Sequence, residues 1–292
     1  MYAIIMPVFQ GARYLCDQID SILSQTVADF RLYIRDDGSS DGSRDILDAY
    51  AARDSRIVLV EDRLGRVGVT RGIKALLRCV NEGVVFLADQ DDYWLPHKAE
   101  TMISVFEFEA MSLTPMAVFS DLLVADCNLN PIASSYWELA GIQTDRLSFQ
   151  HIVRRNCLTG CAAAVNKALA EIAVDMPDTV LHDWWIAAVA AKKGRLIPVS
   201  EGLVWYRQHR GNAIGAGEGG LARLPRLWTD SLARQRYALQ LCDSITHLRA
   251  LGQHPYFSGR ADRMFIWHER IRRTLFWYFL SWSSAAKNKR KS

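Results

Sequence analysis

The sequence predicts an α/β fold built on a mainly parallel sheet with helices on its faces, and three observations carry that expectation. Short apolar runs alternate with amphipathic stretches of helical length over most of the chain, the pattern of successive βαβ units. Two clusters of aspartates follow directly on apolar runs, where such sheets bind ligands beyond the carboxyl ends of their strands. A composition of 50% hydrophobic and 23% charged residues in 292 excludes disordered, collagen-like and low-complexity chains.

The elements follow in order. Residues 2–9 form an apolar run ending around Pro7 and Gly11, a buried strand delivering its end to a loop. Tyr14, Leu15, Ile19, Ile22 and Leu23 fall at helical spacing over 14–25. Residues 31–35 are the next strand, running into Asp36-Asp-Gly-Ser-Ser-Asp-Gly42 and then a helix over 43–54. A third strand is expected at 57–60, a third helix at 68–81, and a fourth strand at 84–88 that runs straight into Asp89-Gln-Asp-Asp92. After Pro96 come a helix to about 110 and a strand at 116–124. A loop with Asn128, Asn130 and Pro131 then opens a less regular region. Residues 161–166 read as a strand, 182–193 as a helix and 196–206 as a strand pair. A glycine-rich loop over 211–220 closes this part, and two basic helical stretches, 221–251 and 260–282, follow it. There is no internal repeat.

The net charge of +3 conceals a division. Residues 221–292 carry 14 Lys and Arg against 4 Asp and Glu, or +10, and the remainder carry 21 against 28, or −7. A basic end of this kind meets phosphate, as nucleic acid or anionic lipid. No nucleic-acid motif accompanies it, so nucleic acid is not expected as a partner. Six cysteines without a second closely spaced pair make neither a disulfide scaffold nor a zinc site and are read as reduced thiols. The first residues show no signal-peptide pattern and no stretch reaches about 18 consecutive apolar residues, so a cytoplasmic protein is expected.

The acidic clusters carry the chemistry. Asp89 and Asp91, with Asp92 beside them, repel one another, so holding them together implies a compensating ligand. A divalent cation bridging to phosphate oxygens meets that need, because Mg²⁺ and Mn²⁺ take one or two carboxylates and complete their shell with water and substrate. A capped loop of solvated aspartates is the alternative. At Asp36-Asp37-Gly38-Ser39 a carboxylate can accept from a base N–H or a ribose hydroxyl, although Asp and Ser also suit an ordinary strand-to-helix turn.

Five segments in order resemble the family 2 inverting glycosyltransferases of GT-A fold. They are Ile5-Met-Pro-Val-Phe9, Asp36-Asp-Gly-Ser39, Gly68-Val-Thr-Arg71, Phe86-Leu-Ala-Asp-Gln-Asp-Asp-Tyr-Trp94 and His182-Asp-Trp-Trp185. With Tyr206-Arg-Gln-His209 and Asn212, they are similar to the bacterial branch that elongates cell-surface polysaccharides, often labelled rhamnosyltransferase-like. The resemblance covers about residues 2–215. It implies a GT-A catalytic domain over 1–220, with a donor-binding half over about 1–125 and an acceptor half over about 126–220. Residues 221–292 are then a basic, aromatic-rich helical extension.

By the same resemblance, Pro7, Val8, Phe9, Asp36, Asp37, Arg71, Asp89 and Gln90 face the nucleotide sugar. Asp91, Asp89 and His209 hold Mg²⁺ or Mn²⁺. Asp183 is the general base, standing in a His-Asp pair where the family more often has Glu-Asp. His182, Trp184 and Trp185 lie on the acceptor side, where the tryptophans stack on a sugar or fill the core. The implied reaction moves a sugar from dTDP-rhamnose or a UDP-hexose to a glycan hydroxyl, with inversion, in O-antigen-type polysaccharide synthesis.

Two rival functions were weighed. A sugar nucleotidyltransferase would need a glycine-rich, arginine-containing loop after the first strand, and Pro7-Val-Phe-Gln-Gly-Ala-Arg13 has one glycine. A non-catalytic membrane-surface module would be expected to lack Asp91 or Asp183, and both are present. The end of the chain is expected to hold the protein on the inner face of the plasma membrane, near a lipid-linked acceptor. Nine aromatics between Tyr256 and Trp282 interleave with five arginines there, a composition suited to the headgroup region. A helix packed on the catalytic domain or on a second copy of the chain is the alternative.

Overall fold

The computed structural model describes residues 1–109, 114–209 and the pair 246–247. The chain divides into two compact units, Met1–Leu248 and Arg249–Ser292, and all described residues belong to the first. The boundary expected at 220, the extension over 221–292 apart from 246–247, Asn212 and Cys242 lie outside the described residues.

The first half is built as the alternation predicts. Strands β1 (Tyr2–Val8), β2 (Phe30–Asp36), β3 (Ile57–Leu59) and β4 (Val84–Leu87) are separated by helices α1 (Leu15–Leu23), α2 (Ser43–Arg53) and α3 (Val69–Cys79). β1 pairs parallel with β2 and with β4, and β2 parallel with β3. β1 reads Tyr-Ala-Ile-Ile-Met-Pro-Val, with all but Pro7 buried, because a strand covered on both faces needs continuous apolar character. A proline in a central strand removes a ladder donor. Here the β1–β4 register ends at Ile5↔Leu87, so Pro7 stands where β4 has already diverged into the acidic turn.

The second half is mixed. Strand β5 (Tyr93–Trp94) and helix α4 (Lys98–Phe108) lead into β6 (Met116–Ala125), β7 (Pro131–Ala133), α5 (Tyr136–Ala140) and α6 (Phe149–Ile152). A 3₁₀ turn at Gly160–Ala162, β8 (Ala163–Asn166), α7 (Lys167–Ala173), α8 (His182–Lys193) and β9 (Arg195–Arg207) complete the described part. The sheet order is β3-β2-β1-β4-β8-β6-β9-β5, with β7 on β6. β8 is antiparallel to both β4 and β6, while β9 runs parallel to β6. The sheet is therefore mainly parallel in its first half and mixed in its second. The strand pair expected at 196–206 is instead one 13-residue strand. Its register against β6 shifts between Ser120 and Leu123, so it bends without turning back. No helix among the described residues is long and apolar enough to cross a membrane. Cys16, Cys79, Cys127, Cys157 and Cys161 are all free.

Candidate active site

The loop after β1 is held almost entirely through its backbone N–H groups. Phe9 N donates to Gln90 Oε1 at 2.8 Å, and Gln90 Nε2 returns a bond to Phe9 O at 3.0 Å. Gln90 thus ties the β1 loop to the acidic turn. A Cβ on Gly11 would lie 2.5 Å from Gln90 Oε1, so a side chain there would unseat the amide. Gln10, Gly11 and Ala12 donate to Ser39 Oγ, Ser43 Oγ and Asp41 Oδ2. The Asp-Gly-Ser turn after β2 therefore acts first as a cradle for the β1 loop.

Asp36 accepts from Ser39 N and Oγ. Asp37, 6% exposed, accepts from Val67 N at 2.7 Å, Gly68 N at 2.8 Å and Arg35 Nη1 at 2.5 Å. Both its oxygens are engaged in holding the 65–68 loop, and a base that reaches it takes a remaining lone pair. Arg66 from that loop lays its guanidinium 3.9 Å over the Phe9 ring. Pro7, Val8, Phe9, Asp36 and Asp37 are thus gathered at the ends of β1 and β2, as the sequence implied. Arg71 is differently placed. Its Nε donates to Asp178 Oδ2 at 2.7 Å, and Lys74 Nζ binds the other oxygen of Asp178 at 2.6 Å. Arg71, which the resemblance places at the nucleotide end, is thus paired, together with Lys74, with a carboxylate from the loop between α7 and α8.

The acidic turn holds Asp89, Asp91 and Asp92 at the end of β4. Burial pushes the Asp89 carboxyl up to about 7, helped by the charges of Asp91 and Asp183 and opposed by Lys98. Asp92, 1% exposed, is raised well above the usual carboxylate range by burial and then by Asp91 and Asp89. One ligand atom each from Asp89, Asp92 and Cys161 lie within 4.8 Å of one another. Burial drives the Cys161 thiol well above its ordinary value, so it stays protonated and is no ligand for a hard cation. His209 Nε2 meets Asp91 Oδ2 at 2.8 Å. Asp91, His209 and Asp89 therefore offer carboxylate oxygens and an imidazole nitrogen. That donor set suits Mg²⁺ or Mn²⁺, and a bound cation would offset both the burial and the carboxylate repulsion that lift Asp89.

Two cations behind the turn were not read from the sequence. Lys98 is fully buried, donates to Cys161 O at 2.7 Å and lies 3.4 Å over the Trp94 ring. Burial lowers it to about 7, against the pull of Cys161, Asp92 and Asp89. Arg207, at the end of β9, is 2% exposed, and its Nε donates to the backbone oxygen of Asp91. A lysine after Pro96 carries no sequence signal that separates it from a solvated surface charge, and the Tyr206-Arg-Gln-His209 segment by itself gives Arg207 no role.

At the start of α8, Asp183 Oδ1 accepts from Trp184 N at 2.7 Å, and Asn156 also hydrogen-bonds the carboxyl. Burial raises Asp183 above its ordinary value. His182 is lowered by burial, against the pull of Asp183, and so is neutral. Its ring lies against Gly160, where a Cβ would come 2.8 Å from Nε2. The two tryptophans are corrected from the stacking role: Trp184 and Trp185 are 4% and 8% exposed, leaving no open ring face. Trp184 Nε1 donates to Ile152 O, which fixes it in the core.

The comparisons bear on the family and the fold. Residues 3–125 match the family described as Glycosyl transferase family 2. An uncharacterized glycosyltransferase, alr2836 of Nostoc sp., is 35% identical over 107 residues, covering 36% of this chain and 32% of that protein. The match thus spans about a third of that relative's length. The dTDP-rhamnosyl transferase RfbG of Shigella flexneri is 23% identical over 235 residues, 76% of this chain and 78% of RfbG. Among solved structures, the mannosyltransferase PcManGT of Pyrobaculum calidifontis, in complex with GDP-Man and Mn²⁺, superposes with a TM-score of 0.56. It is 15% identical and covers 97% of this chain and 83% of its own. Residues 3–125 thus carry the glycosyltransferase family 2 match, and the described residues have the GT-A fold.

Proposed function

We propose that this protein is an inverting glycosyltransferase of bacterial cell-surface polysaccharide synthesis, O-antigen-type glycans included. The donor is a nucleoside-diphosphate sugar, dTDP-rhamnose or a UDP-hexose, and the acceptor is a hydroxyl of a glycan, lipid-linked in this reading. The observation that carries it is the convergence of Asp183, at the start of α8, on the acidic turn at the end of β4. The ring of His182, next to Asp183, lies against Gly160, and Cys161 one residue on stands within 4.8 Å of Asp89 and Asp92; the charge of Asp183 also adds to the rise of Asp89. A proton acceptor and a phosphate-side cation site thus share one centre.

Asp183 takes the acceptor hydroxyl proton while the oxygen forms its bond to the anomeric carbon from the face opposite the leaving diphosphate. The carbon–oxygen bond to the diphosphate breaks in the same displacement. A carboxyl raised by burial holds that proton better than a solvated one, and such general-base help is worth about 10²–10⁴-fold. Trp184 N and Asn156 orient it. Asp91, His209 and Asp89 would hold Mg²⁺ or Mn²⁺, which supplies charge neutralisation for the departing diphosphate. Gln90 keeps the β1 loop and the acidic turn in register. The basic, aromatic residues beyond 249 support placement on an anionic membrane surface, where a lipid-linked acceptor would be met.

A thermal-shift panel of nucleotide sugars, each with Mn²⁺ or with EDTA, tests the reading. A donor at 100 times its Kd stabilises by about 2.7 kcal/mol, which is about 5–10 °C for a domain of this size. One donor is expected to raise Tm in Mn²⁺ and not in EDTA, and Asp91→Ala should abolish the response. Absence of any nucleotide-sugar response, or one indifferent to EDTA, contradicts it.

A further inference from the structure

We propose that Arg207 is a positioning residue that braces the cation-binding turn by tying it to the end of β9, to the β6–β7 loop and to α1. The inference rests on the cation site proposed above. The Arg207 side chain is 3% exposed, and its donors are spent in different directions. Nε donates to the backbone oxygen of Asp91 at 2.8 Å. Nη1 donates to Cys127 O, in the loop between β6 and β7, at 2.9 Å. Nη2 reaches Asp17 Oδ2 on α1 at 2.9 Å. Its own backbone N donates to Asp92 Oδ1 at 3.1 Å. The guanidinium also lies 4.6 Å over the Tyr14 ring, whose centroid is 4.5 Å from that of His209.

The consequence is geometric. Asp91 is fixed at its main chain by Arg207 and at its carboxylate by His209, two residues further along the same strand end. Gln208 N donates to Ala125 O, which keeps that strand end against β6. One rigid element therefore presents the histidine and sets the peptide of the aspartate it meets. A planar guanidinium can hold three fixed directions at once, whereas an ammonium is a point charge on a flexible stem. Lysine at this position keeps the charge and loses the brace. Groups that orient metal ligands in this way typically change affinity by about 10–100-fold when removed.

Mn²⁺ affinity of the full chain, read from the electron paramagnetic resonance of free Mn²⁺, tests the assignment without any activity assay. Arg207→Lys is expected to weaken Mn²⁺ binding by about tenfold while far-UV circular dichroism in EDTA stays at its wild-type value. Asp17→Asn, which removes one bond at an exposed carboxylate, is expected to cost less than about threefold. Asp91→Asn reports on the site itself and should abolish binding. If Asp91→Asn loses Mn²⁺ and Arg207→Lys binds it as the wild type does, the brace is overturned and the cation site stands. If Asp91→Asn still binds as the wild type, the cation site fails and the brace with it. Should Arg207→Lys not fold, Tyr14→Leu removes the ring behind both the guanidinium and His209. Weaker Mn²⁺ binding there supports the brace, and unchanged binding overturns it.

Discussion

Asp89→Asn should make the metal-free protein more stable and deprive it of its response to Mn²⁺. The Asp89 carboxyl is raised from 3.8 to about 7 in the folded chain. About three pH units of displacement correspond to about 4 kcal/mol against the ionised form. Asp89 keeps part of its surface in water, so screening leaves about half of that, or about 2 kcal/mol at pH 8. For a domain of this size that is about 4–8 °C in Tm. The sign follows from linkage. A carboxyl whose folded value is raised contributes its full stability below about pH 4 and loses it as pH rises through about 7. The variant should therefore match the wild type at pH 4 in EDTA and exceed it by several degrees at pH 8. Adding Mn²⁺ at pH 8 should raise the wild type and leave the variant unmoved. A variant less stable than the wild type at pH 8 in EDTA would refute the reasoning, because Asp89 would then be a favourable structural carboxylate.

Four other outcomes are expected. Asp183→Asn should lower kcat by about 10²–10⁴-fold with donor affinity unchanged; weakened donor binding with turnover intact would make Asp183 a capping or binding residue. Asp178→Asn should release Arg71 and Lys74 and tighten donor binding about threefold by calorimetry, roughly one exposed ion pair; no change would show that these cations do not face the diphosphate. Trp184→Phe loses the bond to Ile152 O and should cost about 1–3 kcal/mol in stability with acceptor KM unchanged; a raised acceptor KM at constant Tm would restore the stacking role. Truncation after residue 251 should release the protein from anionic liposomes in flotation, and an intact chain that does not float at low salt would make that segment a packing or dimer element.

Much of the first half was legible because its signals are local. Continuous apolar runs such as Val84-Val-Phe-Leu87, followed at once by aspartates, mark a buried strand and a ligand-binding end within a dozen residues. The helix at His182–Lys193 was read to the residue for the same reason. What escaped depends on distant partners. β5 is two residues long and exists through its pairing with Trp205 and Val204. β9 reads as a pair because Pro198, Glu201 and Gly202 interrupt its pattern, yet pairing with β6 carries it through two register shifts as one bent strand. The antiparallel insertion of β8 between β4 and β6 leaves no trace in element order. In the site, carboxylates announce themselves by crowding, whereas Lys98 and Arg207 become significant only through burial among groups far away in the chain. The tryptophans show the converse, since two adjacent rings after an aspartate suggest a sugar platform until burial closes both faces.

The most direct test of the account is the identity of the nucleotide product. The donor that stabilises the protein should be incubated with acceptor glycan and Mn²⁺, and the released nucleotide resolved by ion-exchange chromatography. The account predicts stoichiometric nucleoside diphosphate with a glycoside of inverted anomeric configuration, and none of either from Asp91→Ala or in EDTA. A product of retained configuration, or undiminished nucleoside diphosphate release in EDTA, would contradict it.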